Sequence, residues 1–280
     1  MKWQGRRGSG NVEDRRGMST GGKVIGGGIG TLVIVLLVYL LGGDPSSIIN
    51  QGGSGMESSG PVEATGEENL MAQFVSVVLA DTEEVWDKLF MEAGATYRKP
   101  TLVLFRDQVQ SACGYATAAS GPFYCPGDEK VYIDLSFCDD LQTKYGAQGD
   151  FAVAYVIAHE IGHHVQNLMG ILEEVSAERQ RLSEVRANQL TVRLELQADF
   201  LAGVWAHHAS RMFNSLEAGD IEEALNAASS IGDDVLQKKY QGRVVPDAFT
   251  HGSAAQRSSW LRKGWQTGDM NQGDTFSAAI

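Results

Sequence analysis

Two histidines four residues apart, with a glutamate directly after the first, can hold one metal ion and set a base beside it. That arrangement stands at His159-Glu160-Ile161-Gly162-His163 of this 280-residue sequence. On a helix, positions i and i+4 lie one above the other, so both imidazoles reach a single ion. The flanking stretch FAVAYVIAHEIGHHVQNLMG, residues 151–170, supplies the helix. Val153, Ile157, Ile161, Val165 and Leu168 fall on one apolar stripe, and His159 and His163 point away from it, as residues lining a cleft do. Glu160 is turned off the ion, which suits a base acting on water rather than a ligand. His164, rotated by about 100° from His163, reads as packing or as support for the ligands.

A catalytic zinc site takes three protein ligands and keeps one position open. The segment LELQADFLAG, residues 194–203, offers Glu195 as the third ligand. Asp199, one helical turn on, can orient a ligating imidazole through its free N–H. Ala198, Ala202 and Gly203 would let this helix close on the first, whereas the preceding EEVSAERQRLSEVRAN reads as a solvated face. His251, in FTHGSAAQR, is a candidate donor to an oxyanion, with an ordinary loop histidine as the alternative. His207 and His208 read as structural or exposed. The expected chemistry is hydrolysis: zinc acidifies a water, Glu160 takes its proton, a peptide carbonyl is attacked, and Glu160 returns the proton to the leaving amine.

The elements that must position these residues follow from periodicity. A helix is expected from Leu70 to about Ala93, a buried strand at Thr101–Phe105, and two strands around a Pro-Gly-Asp turn within 123–137. Helices then dominate, at about 151–169, 172–212, 220–239 and 253–265, with Asp220 and Glu223 as a capping box. Strands first and helices later point to one α+β domain. An extended substrate would pair with the 131–135 region if that strand is an exposed edge.

The start of the chain has a different character. Val24–Leu41 is apolar without a charge, long enough to cross a bilayer as a helix, and residues 1–23 hold six basic residues against two acids. The expectation is a basic cytoplasmic N-terminus (1–23), a transmembrane anchor (24–42), a flexible Gly/Ser-rich linker (43–69) and an extracytoplasmic domain (70–280). Gly22, Gly26 and Gly30 would permit self-association of the membrane helix. A net charge of -12 argues against a nucleic-acid partner and leaves a peptide or protein substrate and the lipid bilayer. Cys113 and Cys125 are open to a disulfide, and Cys138 reads as a buried thiol.

HEIGHH, ELQADFLAG and THGSAAQR, together with CGYA, GPFYCPGDEKVYIDLSF and the N-terminal NVEDRRG, resemble the neutral zinc metallopeptidases. The resemblance implies a zincin-like α+β domain of the gluzincin type, here preceded by an N-terminal transmembrane helix. It implies an active-site helix beneath a sheet whose edge strand receives the substrate. It also implies zinc on His159, His163 and Glu195, Glu160 as base, Asp199 behind the ligands, and His251 at the oxyanion. Two readings compete. One is a deformylase-like hydrolase with Cys113 as third ligand; the other is a membrane-tethered zinc-binding scaffold without turnover.

Overall fold

The computed structural model describes residues 1–17 and 64–280. Strand β1 (Val12–Asp14) comes first, then helix α1 (Gly66–Glu92), followed by β2 (Thr101–Phe105), β3 (Gln108–Ser111), β4 (Gly114–Thr117), β5 (Phe123–Cys125) and β6 (Lys130–Asp134). Helices follow: α2 (Ser136–Thr143), α3 (Asp150–Leu168), α4 (Ile171–Arg179), α5 (Glu184–Phe213), α6 (Asp220–Ser230), α7 (Asp233–Gln241) and α8 (Ala254–Thr267). The α+β expectation stands. Among the described residues no helix is long and apolar enough to cross a membrane. The expected span at 24–42 and most of the 43–69 linker lie outside the described residues.

One four-stranded sheet runs in the order β1-β2-β6-β5. β1, β2 and β6 are parallel, and β5 joins β6 antiparallel. β6 is therefore interior, and the expectation that residues 131–135 form an edge is corrected: β1 and β5 are the edges. The alternation of Val131, Ile133 and Leu135 reads a buried face well, but it does not distinguish a strand with one neighbour from a strand with two. β3 and β4 form a separate hairpin. The disulfide Cys113–Cys125 ties the turn of that hairpin to the end of β5, and Cys138 is a buried free thiol.

Helix boundaries moved where local chemistry outweighed periodicity. α1 starts at Gly66 because Thr65 and Glu68 make a reciprocal capping box, so the linker ends earlier than expected. The single helix expected over 172–212 is two, separated before Glu184, and 220–239 is broken around Gly232. A Cβ on Gly232 would lie 2.3 Å from the Ala254 backbone nitrogen, so the break is where α8's entry presses closest. The capping box expected at Asp220 and Glu223 is absent. Gly219 is the cap, Asp220 accepts from the Glu217 N–H, and Glu223 caps α3 by accepting from the Phe151 N–H.

The N-terminal residues are part of the domain. β1 pairs in register with Leu102–Leu104, and Trp3 stacks edge-on against Phe74 of α1. The boundary expected between a basic head and a domain beginning at residue 70 is corrected accordingly: residues 1–17 complete the sheet and cover α1.

Candidate metal centre

Helix α3 carries the HExxH residues because its apolar stripe faces the core. Val153, Ile157, Ile161 and Val165 are each at most 2% exposed, worth about 1.5–3 kcal/mol per side chain in removed apolar surface. The opposite side of the helix is left to line the cleft. α3 crosses α5 at Gly162, where an added Cβ would lie 3.0 Å from the Ala198 carbonyl oxygen. This close crossing brings Glu195 over the two histidines. Ala198 thus has the role expected of it, but Gly203 faces α8: a Cβ there would lie 2.2 Å from the Leu261 carbonyl oxygen.

His159 Nε2 lies 3.2 Å and His163 Nε2 3.5 Å from the same Glu195 carboxylate oxygen, Oε2. One donor atom from each of the three lies within 4.8 Å of the other two. Tetrahedral coordination at about 2.1 Å separates its donors by about 3.4 Å, so these residues fit zinc. Their tautomers are set from behind. His159 Nδ1 lies 2.8 Å from Asp199 Oδ1, and a carboxylate can only accept. His163 Nδ1 lies 2.9 Å from Gln166 Oε1, whose amide is fixed because its nitrogen donates to the Leu194 carbonyl and to Gln197. When neutral, both imidazoles therefore carry their hydrogen on Nδ1 and turn an Nε2 lone pair to the cleft, as metal ligands must.

Asp199 is the hub of the support. It accepts from the Tyr155 hydroxyl at 2.5 Å and from Arg257 Nε at 2.9 Å, and Arg257 also reaches the Tyr155 oxygen at 3.0 Å. Burial works against its charge, but Arg257 and His159 hold Asp199 down to about 2. Burial likewise opposes the charge on His159, yet Asp199 and Glu195 raise it to about 10. Glu195 is held well below the ordinary carboxylate range by the two histidines, despite its burial. Glu160 goes the other way: burial raises it, and the flanking imidazoles and a hydrogen bond from the Tyr124 backbone N–H oppose this only in part.

His251 faces the same cleft of about 470 Å³, together with Glu160, Tyr124, Val156 and Arg257. Its loop is wrapped on Asp233, whose Oδ2 accepts from the backbone N–H groups of Thr250, His251 and Gly252. Asp233 Oδ1 lies 3.4 Å from His251 Nδ1. Burial lowers His251, but Asp233 and Glu195 outweigh it and raise it. His164 is fully buried: its Nε2 meets the Arg98 carbonyl at 2.6 Å and its Nδ1 the Tyr124 hydroxyl at 3.0 Å. It fastens edge strand β5 to α3 and lies outside the donor set. His207 and His208 bond the Trp265 and Gly268 carbonyls, holding the end of α8 on α5. Cys113 is bonded to Cys125 and is absent from the donor cluster, so a third ligand from Cys113 is ruled out, and the deformylase-like reading with it.

Sequence reasoning passed over Tyr155, Gln166, Asp233 and Arg257. Tyr155 and Gln166 stand four before and three after the ligands on the same helix, a signal that spacing alone could have supplied. Asp233 and Arg257 come from distant helices and carried no such signal, although Arg257 closes the THGSAAQR motif.

A histidine pair and a carboxylate on crossed helices, with a second buried glutamate beside them in a cleft, form the donor set of a metallohydrolase-type centre. The chain belongs to the family described as Putative neutral zinc metallopeptidase, whose pattern matches residues 1–276. The cofactor of that family is zinc. The chain is 48% identical to the uncharacterized protein YpfJ of Escherichia coli K12 over the full length of both. It is 43% identical to the uncharacterized proteins Mb2605 of Mycobacterium bovis and Rv2575 of Mycobacterium tuberculosis, over 74% of this chain and 72% of each relative. No solved structure matches.

Proposed function

We propose that the protein hydrolyses peptide bonds, with His159, His163 and Glu195 holding zinc and Glu160 as general base. When bound, zinc supplies a Lewis acid that acidifies water and polarises a carbonyl. Glu160 takes a proton from that water and passes it to the leaving amine. Burial raises its pKa, which makes the carboxylate a stronger base toward the water than an exposed one while leaving it an acid toward the leaving amine. His251 donates from Nε2 to the carbonyl oxygen as charge develops, and Asp233 holds it in place. Asp199, Tyr155 and Arg257 fix the His159 ring, so that Nε2 would be aimed at a bound zinc. Edge strand β5, which borders the cleft and has a strand neighbour on one side only, is where an extended peptide would lie.

The observation that carries this reading is the convergence of both Nε2 atoms on one Glu195 oxygen with Glu160 beside them. An inactive zinc scaffold would have no use for a buried carboxyl held beside the ligands and bordering the cleft. A peptide-library digest comparing wild type with Glu160→Gln tests it: cleavage products from the wild type only are expected. Products from both proteins would remove Glu160 from the chemistry, and products from neither, at full zinc loading, would favour the scaffold. The Cys113–Cys125 bridge supports an extracytoplasmic location for the domain, and the apolar run 24–42 supports membrane attachment.

A further inference from the structure

Strand β1 and the residues before it are locked to the domain at many independent points. Three residues of β1 pair in parallel with β2, and the Arg15 N–H donates to the Leu104 carbonyl just beyond. Arg6 grips Asp81 of α1 with two bonds, at 2.5 and 2.7 Å. Ser9 Oγ and Asn11 Nδ2 both donate to Glu83 Oε1, at 2.7 and 2.6 Å. Arg16 reaches back to the Glu68 carbonyl at 3.1 Å, and Lys130 of β6 pairs with Glu13 at 2.9 Å. Asp81 and Glu83 are each 2% exposed, so α1 carries two buried acids whose hydrogen-bonding partners come from the N-terminal segment. Buried acids without partners are costly, which makes the segment part of the fold rather than a passenger on it.

The same contacts change how the basic residues are to be counted. A positive-inside reading treats arginines as free charges that stay in the cytoplasm. Here Arg6 is paired with Asp81, Arg7 with Glu84, Arg15 with Glu13 and Arg16 with Asp14. The NVEDRRG motif is thereby accounted for: Val12-Glu13-Asp14 is the strand, and its two arginines close ion pairs onto it.

We propose that residues 1–17 and 64–280 fold as one unit and lie on the same side of any membrane the chain contacts. A single crossing at 24–42, with the N-terminus on one side and the domain on the other, is incompatible with a completed sheet. This inference is independent of zinc and of peptidase activity.

The test uses the full chain in intact cells, with Gly10→Cys and Met91→Cys in separate proteins. Both positions are exposed, and a side chain at Gly10 meets open space. A membrane-impermeant maleimide is applied before and after permeabilisation, with the unsubstituted chain as background. The two positions should label alike, both before permeabilisation or both only after it. Labelling of one before and the other only after would overturn the proposal. A second variant tests the packing itself: a Cβ built on Gly8 lies 3.3 Å from Ser76 Cβ, slightly under the ordinary disulfide range of about 3.5–4.5 Å. Gly8→Cys with Ser76→Cys in isolated membranes should give a cross-linked species on oxidation, reversed by reductant. Absence of that cross-link in a protein that retains its thermal unfolding transition would overturn the proposal even where labelling matches.

Discussion

The two ends of helix α3 each gather three ligand-type side chains, and only one of them is suited to zinc chemistry. At its start, Asp150, Asp220 and Glu223 come as close together as His159, His163 and Glu195 do further along. The acidic group is already committed. The Met1 ammonium lies 2.6 Å from Asp150 and 3.4 Å from Asp220, and Glu223 caps the helix through the Phe151 N–H. Acids at a helix N-terminus also interact favourably with its dipole, so this cluster stabilises the fold without a metal. The other group has what the first lacks: nitrogen donors whose tautomers are fixed by Asp199 and Gln166, a further buried carboxyl in Glu160, and a cleft. Proximity of ligand atoms is thus a weak signal, and the partners behind them carry the distinction.

The comparison can be broken or sharpened in steps of decreasing effect. Glu160→Gln should lower peptide hydrolysis by about 10²–10⁴-fold while zinc content, measured by mass spectrometry, stays at the wild-type level. Asp199→Asn keeps the shape but removes the charge that orients His159 and pairs with Arg257. It should weaken zinc binding by about 10–100-fold in a competition with a chromogenic chelator. Asp150→Asn acts at the other end of the helix and should leave zinc affinity unchanged. Thermal unfolding should show a loss of about 1 kcal/mol or less, since Asp150 is partly exposed and its pair is screened. Zinc loss in this variant would mean that the two clusters are not the separate devices described.

The smallest effect concerns pH and the N-terminal strand. Arg15 and Lys130 hydrogen bonds hold Glu13 down to about 2, against an ordinary value of 4.5. A carboxylate depressed by folding contributes stability that is fully present above pH 4.5 and is lost as pH falls through about 2. With Glu13 well exposed, the contribution is discounted to less than about 1 kcal/mol. Glu13→Gln should therefore flatten the acid side of the stability curve between those values, in chemical denaturation followed across pH, with a loss of less than about 1 kcal/mol near neutrality that disappears below about pH 2.

The helix bearing His159, Glu160 and His163 was legible in the sequence because ligand spacing and apolar stripe share one period. Glu195 and Asp199 were legible for the same reason, a second i, i+4 pair in an apolar setting. The strand pair around Cys125-Pro126-Gly127-Asp128 was legible from its turn, but its place in the sheet was not, since strand order is decided by long-range pairing. β1 escaped altogether: three residues, two of them acidic, carry no strand signal, and their pairing with Leu102–Leu104 is fixed by tertiary contact. The ion pairs of the arginines beside it escaped as well, because sequence shows charge without showing its partners. Asp233 and Arg257 belong to the same class, polar residues whose meaning lies in what a distant helix brings to them.

The most direct test of the central assignment is the metal content of the purified full chain by mass spectrometry, beside Glu195→Ala and Cys113→Ser. About one zinc per wild-type chain, lost in Glu195→Ala and retained in Cys113→Ser, is the predicted result. Zinc retained without Glu195, or no zinc in a folded wild-type chain supplied with the metal, would contradict it.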